Sequence, residues 1–237
     1  MPGPGRELKL LGSFWLFFDG QPMTVPKSGQ RLLAFLALHE RPRRRDAVAW
    51  SLWLDTSEAR ALASLRTACW RLPRPGGRAL ISDGPDGLGL ADDVVVDLRR
   101  AIAIAQLAVG GSVEEIDRGV VGTDVAGLLA ADLLPDWYDE WLVLEREQFR
   151  QLRLYALEAL AESHLRAGRY GDAVRVGLKA VACEPTRESA HRIVIAAHRA
   201  DGNLAEARRH VELCERLLVT AGLAELPTAD RLLLRPA

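Results

Sequence analysis

The chain has 237 residues, 49% of them hydrophobic, 27% charged and 6% aromatic, with a formal net charge of −1. That is a globular composition, long enough for roughly one and a half to two domains. No run of about 18 uncharged apolar residues occurs and the first residues lack the apolar core of a secretory signal, so a membrane helix is excluded and a cytoplasmic protein without a membrane partner is expected.

The near-zero charge hides an asymmetry. Residues 1–80 hold thirteen basic and six acidic side chains, a formal charge of +7 that leaves −8 for the remainder. A basic unit joined to an acidic one is the pattern of a chain whose first part meets a polyanion and whose second meets proteins, although chance segregation produces the same split. Cys69, Cys183 and Cys214 form an odd set without CxxC or Cys/His spacing, each within an apolar helical pattern. They are read as reduced core thiols, with no disulfide and no zinc site.

In chain order, residues 8–18 are rich in strand formers, and Asp19-Gly20 is a hairpin turn signal before a short return strand at Met23-Thr24-Val25. Three helical patterns follow over 28–39, 44–54 and 57–72. Residues 79–82 and 88–90, separated by the turn formers Asp83 to Gly87, make a second hairpin. Strands, three helices and a closing hairpin describe a helix-turn-helix unit with a wing.

The third helix carries the most chemistry. At 100° per residue, Leu62, Leu65, Cys69 and Leu72 fall with Ala61 and Ala68 on one side, while Arg60, Ser64, Thr67 and Arg71 fall opposite, flanked by Arg66 and Trp70. An apolar back with an Arg/Ser/Thr front is what major-groove entry requires; an ordinary solvated arginine face has the same pattern. Trp70 is read in first place as packing against the wing. Arg43, Arg44 and Arg45 precede the second helix, where cations oppose the helix dipole, so they suit phosphate contacts better than helix stability. Lys27, Arg31, Arg74 and Arg78 are further candidate phosphate contacts.

From residue 98 the pattern is all helical. Gly168-Arg169-Tyr170-Gly171-Asp172-Ala173 aligns with Gly202-Asn203-Leu204-Ala205-Glu206-Ala207 at an offset of 34, the tetratricopeptide period. Helices are expected over 137–167, 172–183, 186–200 and 204–221, with further helices at 98–109 and 113–129 capping them. His191 and His198 stand two turns apart, the wrong spacing for chelation. The sequence lacks GxSxG, HExxH and GxxxxGK[ST] patterns, and the paired acids Asp92-Asp93 and Glu114-Glu115 fit polar caps, so no enzyme, metal or cofactor is expected.

Two blocks carry a family resemblance. Residues 25–39, beginning Val25-Pro26-Lys27-Ser28-Gly29-Gln30-Arg31, and 59–72, Ala59-Arg60-Ala61-Leu62-Ala63-Ser64-Leu65-Arg66-Thr67-Ala68-Cys69-Trp70-Arg71-Leu72, resemble the DNA-binding domain of SARP-type regulators, the Streptomyces antibiotic regulatory proteins. That domain is similar to the OmpR-type winged helix. Leu133-Leu134-Pro135-Asp136-Trp137-Tyr138-Asp139-Glu140-Trp141 and residues 184–192 resemble their bacterial transcriptional activation domain.

The resemblance implies a mostly α protein with a small β component: an N-terminal winged helix-turn-helix at 1–97 and an all-α tetratricopeptide-like domain at 98–237. It implies Arg66, Thr67, Trp70 and Arg71 as DNA contacts, promoter DNA and the sigma subunit of RNA polymerase as partners, a homodimer on direct repeats, and target genes of secondary metabolism. Pro73 stands where the family continues the helix with arginine, which shortens the helix and weakens the expected contribution of Arg74. No ATPase domain like that of larger relatives is expected to switch this chain. The alternative reading is a helical-repeat adaptor whose winged domain does not read DNA; a small-molecule sensor is a third.

Overall fold

The computed structural model describes residues 5–111 and 124–223. The chain divides into two compact units, residues 1–100 with 132–148, and residues 101–131 with 149–237.

The first unit opens with a four-stranded sheet of order β3-β2-β1-β6. The run read as one strand over 8–18 is two strands: β1 (Arg6–Lys9) and β2 (Trp15–Phe18) pair antiparallel with Leu8 opposite Leu16. Gly12 at φ 83° supplies the left-handed turn residue between them, and folding back lets Leu8 and Leu16 bury together. Asp19 and Gly20, at φ 49° and 76°, make the expected two-residue turn into β3 (Gln21–Met23).

Helices α1 (Lys27–Leu38), α2 (Arg45–Leu52) and α3 (Glu58–Trp70) follow close to their expected positions. Leu32, Leu33, Phe35 and Leu36 make α1 the central core helix, buried over most of its circumference. Helix α3 ends two residues short of the expected 72, because Pro73 cannot continue it; the amide of Arg71 makes the last helical bond, to Thr67 O. Ala61, Leu65 and Ala68 bury its back as expected, whereas Leu62 and Cys69 are only half-buried.

The second hairpin joins β4 (Ile81–Gly84) to β5 (Gly87–Leu90). It is fastened to the entry of α2 by a two-way backbone bond between Arg43 and Leu88, both N···O distances 2.8 Å. Gly87 is required there. At φ 117° its added Cβ would lie 2.2 Å from Arg43 O. Strand β6 (Val94–Val96), which the sequence reading missed, pairs parallel to β1 and runs directly into α4 (Asp97–Val109). The Asp97 carboxylate there accepts from the amides of Leu10, Leu11 and Leu98.

The first unit is completed from far along the chain. Leu133 bridges Leu11, Leu134 N donates to Leu10 O, and Gly12 N donates to Asp132 O. Trp137 stacks on Phe14 at 6.0 Å, and Trp141 meets Phe35 edge-on at 5.4 Å. The compact units therefore do not follow a single cut after residue 97. Residues 132–148 satisfy backbone and apolar groups that the N-terminal segment leaves open.

The second unit is helical in its described residues: α4 from residue 101, α5 (Val125–Ala130), the rest of α6 (Glu140–Arg166) from residue 149, α7 (Tyr170–Cys183), α8 (Glu188–Ala200) and α9 (Leu204–Thr220). The 34-residue repeat is visible in its hydrogen bonds. Gly168 N bonds Leu165 O and Arg169 N bonds His164 O; Gly202 N bonds Arg199 O and Asn203 N bonds His198 O. Both glycines are left-handed, at φ 71° and 79°, the geometry that closes a helix with a reversed last turn. Ala173 and Ala207 are buried at the matching positions, and Gly177 admits Val194 so closely that a Cβ would lie 2.7 Å from it. Most of the helix expected at 113–129, with Glu114-Glu115, lies outside the described residues; its end is α5, which meets α7 through Asp124 and Lys179 at 3.2 Å. Cys214 is a core thiol as expected, while Cys183, like Cys69, is half-buried.

Candidate nucleic-acid interface

Helix α3 holds its polar front outward because Ala61, Leu65 and Ala68 clamp its back into the core. Arg60, Arg66, Thr67 and Arg71 are exposed and Ser64 is half-buried. The Thr67 hydroxyl donates to Ala63 O at 3.0 Å, which leaves its oxygen free to accept. Trp70 corrects the expectation that it packs against the wing: 83% of it is exposed.

The cations around this helix fall into two groups. Among the described residues, Arg43, Arg60, Arg66, Arg71 and Arg74 form no ion pair, and Lys27 stands exposed at the start of α1. The others carry internal partners. Arg44 forks Asp46 at 2.9 and 3.3 Å and holds that carboxyl below its usual pKa. Arg45 forks Asp83 of β4, a hydrogen-bonded pairing that raises its own pKa. Arg78 meets Asp93 at 2.9 Å, a carboxylate shared with Arg6, whose burial lowers its pKa. Arg31 does not reach outward as a phosphate contact would. It lies 2.6 Å from Asp139, and both side chains are mostly buried.

Asp83, Asp93 and Asp139 were not among the sequence candidates. Each sits at least 15 residues from its basic partner, and local pattern carries no signal for such pairing. A groove of about 350 Å³ runs between α3 and the hairpin, lined in part by Arg45, Arg66, Arg74, Cys69, Trp70 and Asp83. The surface is an exposed cationic helix face beside a hairpin. Among the described residues no cluster of three or more His, Cys, Asp or Glu could hold a metal ion, and no helix is long and apolar enough to cross a membrane.

Residues 121–231 match the profile of the family described as bacterial transcriptional activator domain. Among solved structures, the fold is similar to that of Mycobacterium tuberculosis EmbR in complex with a low affinity phosphopeptide, at 21% identity and a TM-score of 0.68, covering 97% of this chain and 64% of that one. The chain thus spans less than two thirds of the length of that protein. None of the curated proteins matches the sequence. The resemblance to SARP-type regulators and the order of a winged helix followed by an all-helical part are both borne out.

Proposed function

We propose that this chain, in which a winged helix precedes a bacterial transcriptional activator domain, is a sequence-specific DNA-binding transcriptional activator of the cytoplasm. Residues 1–97 serve as the DNA-binding part and 98–237 as the part that meets proteins. The observation that carries this reading is the front of α3, where exposed Arg60, Arg66 and Arg71 have no carboxylate partner among the described residues. Unpaired guanidinium groups held on a fixed helix can fork guanine edges or phosphates, and they gain affinity by releasing counterions.

In this reading α3 enters the major groove. Arg66 and Arg71 read bases, Ser64 and Thr67 approach closely, and Arg60, Arg43 and Lys27 hold the backbone. Arg44, Arg45 and Arg78 can join only by exchanging a carboxylate for a phosphate, so their contribution is smaller. By resemblance, two protomers sit on promoter direct repeats and recruit RNA polymerase through its sigma subunit, at genes for secondary metabolism. The test is selection of bound fragments from random and genomic duplexes, followed by a salt titration on the best fragment. An enriched motif with a steep salt slope supports the proposal. No enrichment favours instead the helical-repeat adaptor.

A further inference from the structure

We infer that the Trp70 indole is a base-reading contact that recognises the C5-methyl group of thymine in the major groove. The inference rests on the reading of α3 as the recognition helix. Trp70 is 83% exposed, against 51% for each of Trp15 and Trp50. Among the described residues it makes no ring contact, no cation contact and no hydrogen bond. A scattered exposed apolar side chain is ordinary on a protein surface; the position of this one is not.

Trp70 stands one helical turn beyond Arg66 and three residues beyond Thr67, on the ridge that carries the outward groups of α3. Its other neighbours across the groove include Arg45 and Arg74. An apolar protein partner would have to desolvate Arg74 and the Arg45–Asp83 pair to cover the indole, whereas duplex DNA offers Arg74 a phosphate. Ala68 and Leu65 hold the helix behind it at 0% and 1% exposure, so the indole is presented from a rigid backbone. It also has few rotatable bonds to immobilise.

The chemistry complements the arginines. A guanidinium fork selects guanine O6 and N7, and nothing in it distinguishes thymine. The thymine methyl is the one apolar feature of the major-groove edge, and a flat apolar ring is the group that gains by covering it. The indole N–H could instead donate to an acceptor such as thymine O4, so the test must separate methyl contact from hydrogen bonding.

Replacing thymine by uracil does this, because uracil keeps O4 and loses only the methyl. Full-length protein is used to select a bound duplex. Affinity at fixed salt is then measured for duplexes in which each thymine is replaced singly by uracil, with wild type, Trp70→Ala and Trp70→Phe. One or two replacements should weaken wild type by about three- to tenfold, leave Trp70→Ala unaffected and cost Trp70→Phe an intermediate amount. The exposure of Trp70 means that the variants keep the wild-type melting curve, which circular dichroism checks. Uracil replacements that are neutral in wild type, or equally costly in Trp70→Ala, overturn the inference. So does a Trp70→Ala protein that selects the same motif with the same affinity and loses only transcriptional activation, since the indole would then face a protein. If wild type enriches no motif, the DNA reading of α3 fails and this inference with it.

Discussion

The Arg45 guanidinium lies across the Asp83 carboxylate, its Nε 3.3 Å from Oδ1, and so joins the first turn of α2 to the first strand of the hairpin. Both side chains are about half exposed, so water screens the pair and its contribution to stability is small.

Asp83→Ala should therefore change unfolding free energy by no more than about 1 kcal/mol. In DNA binding it frees a cation and removes an anion beside the groove. The salt dependence of affinity should steepen by about one counterion. An unchanged slope would place Arg45 away from the DNA backbone.

Arg71→Ala and Arg43→Ala separate base reading from phosphate holding. The first should cost about 1–3 kcal/mol on the preferred duplex and relax preference at one position. The second should weaken preferred and random duplexes alike. Competition binding against a panel of single-base variants checks both, and unchanged preference in Arg71→Ala would remove that residue from base reading.

Gly87→Ala tests the fastening of the hairpin. The new methyl would meet Arg43 O at 2.2 Å in a backbone geometry that disfavours side chains, so the Arg43–Leu88 bridge must open. A loss of about 2 kcal/mol or more is expected in urea unfolding. Gly84→Ala, where nothing lies within 4 Å of an added Cβ, is the control and should cost much less.

Asp139→Ala leaves the Arg31 guanidinium without its carboxylate in a site where it is only 25% exposed. A loss of about 1–3 kcal/mol is expected. Trp141 donates to the same carboxylate at 3.2 Å, so its fluorescence should report the change. A variant as stable as wild type would mean that residues 132–148 add little to the first unit.

His210 supplies a pH dependence. His191 Nε2 lies 2.9 Å from Pro185 O and must donate to it, so His191 Nδ1 accepts from His210 Nε2 at 3.0 Å. Burial, with further lowering from His191 and His198, pushes the His210 pKa down to about 4, and burial lowers that of His191. The unfolded chain takes up protons near pH 6.5 while the folded pair does not. Stability is therefore complete above about 6.5 and falls as the pH drops toward 4, by about 1–3 kcal/mol from this source. Proton NMR of the His210 ring checks it: the ring should remain neutral at pH 5.

Much of the architecture was legible because it is written in short-range pattern. Asp19-Gly20 announced a hairpin, since two successive left-handed residues suit little else. Gly168 and Gly202 announced helix ends 34 residues apart, and the backbone bonds around them repeat at that spacing. The Leu65 stripe showed which side of α3 faces the core, and so which arginines face out. The errors share a cause. The run over 8–18 reads as one strand because periodicity is blind to a reversal, and Val94–Val96 is too short to stand out from the helix that follows it.

From the sequence alone came the fold class, the outward face of α3 and the repeat, because hydrophobic period, turn residues and charge act over one to four residues. Tertiary structure decided which of the cations are available: Arg31, Arg45 and Arg78 meet acids 108, 38 and 15 residues away, whereas Arg60, Arg66 and Arg71 meet none among the described residues. It also decided that Trp70 stands in water and that residues 132–148 complete the first unit. An ion pair or a stacked ring depends on the distance between side chains in space, and no local pattern along the chain encodes that distance.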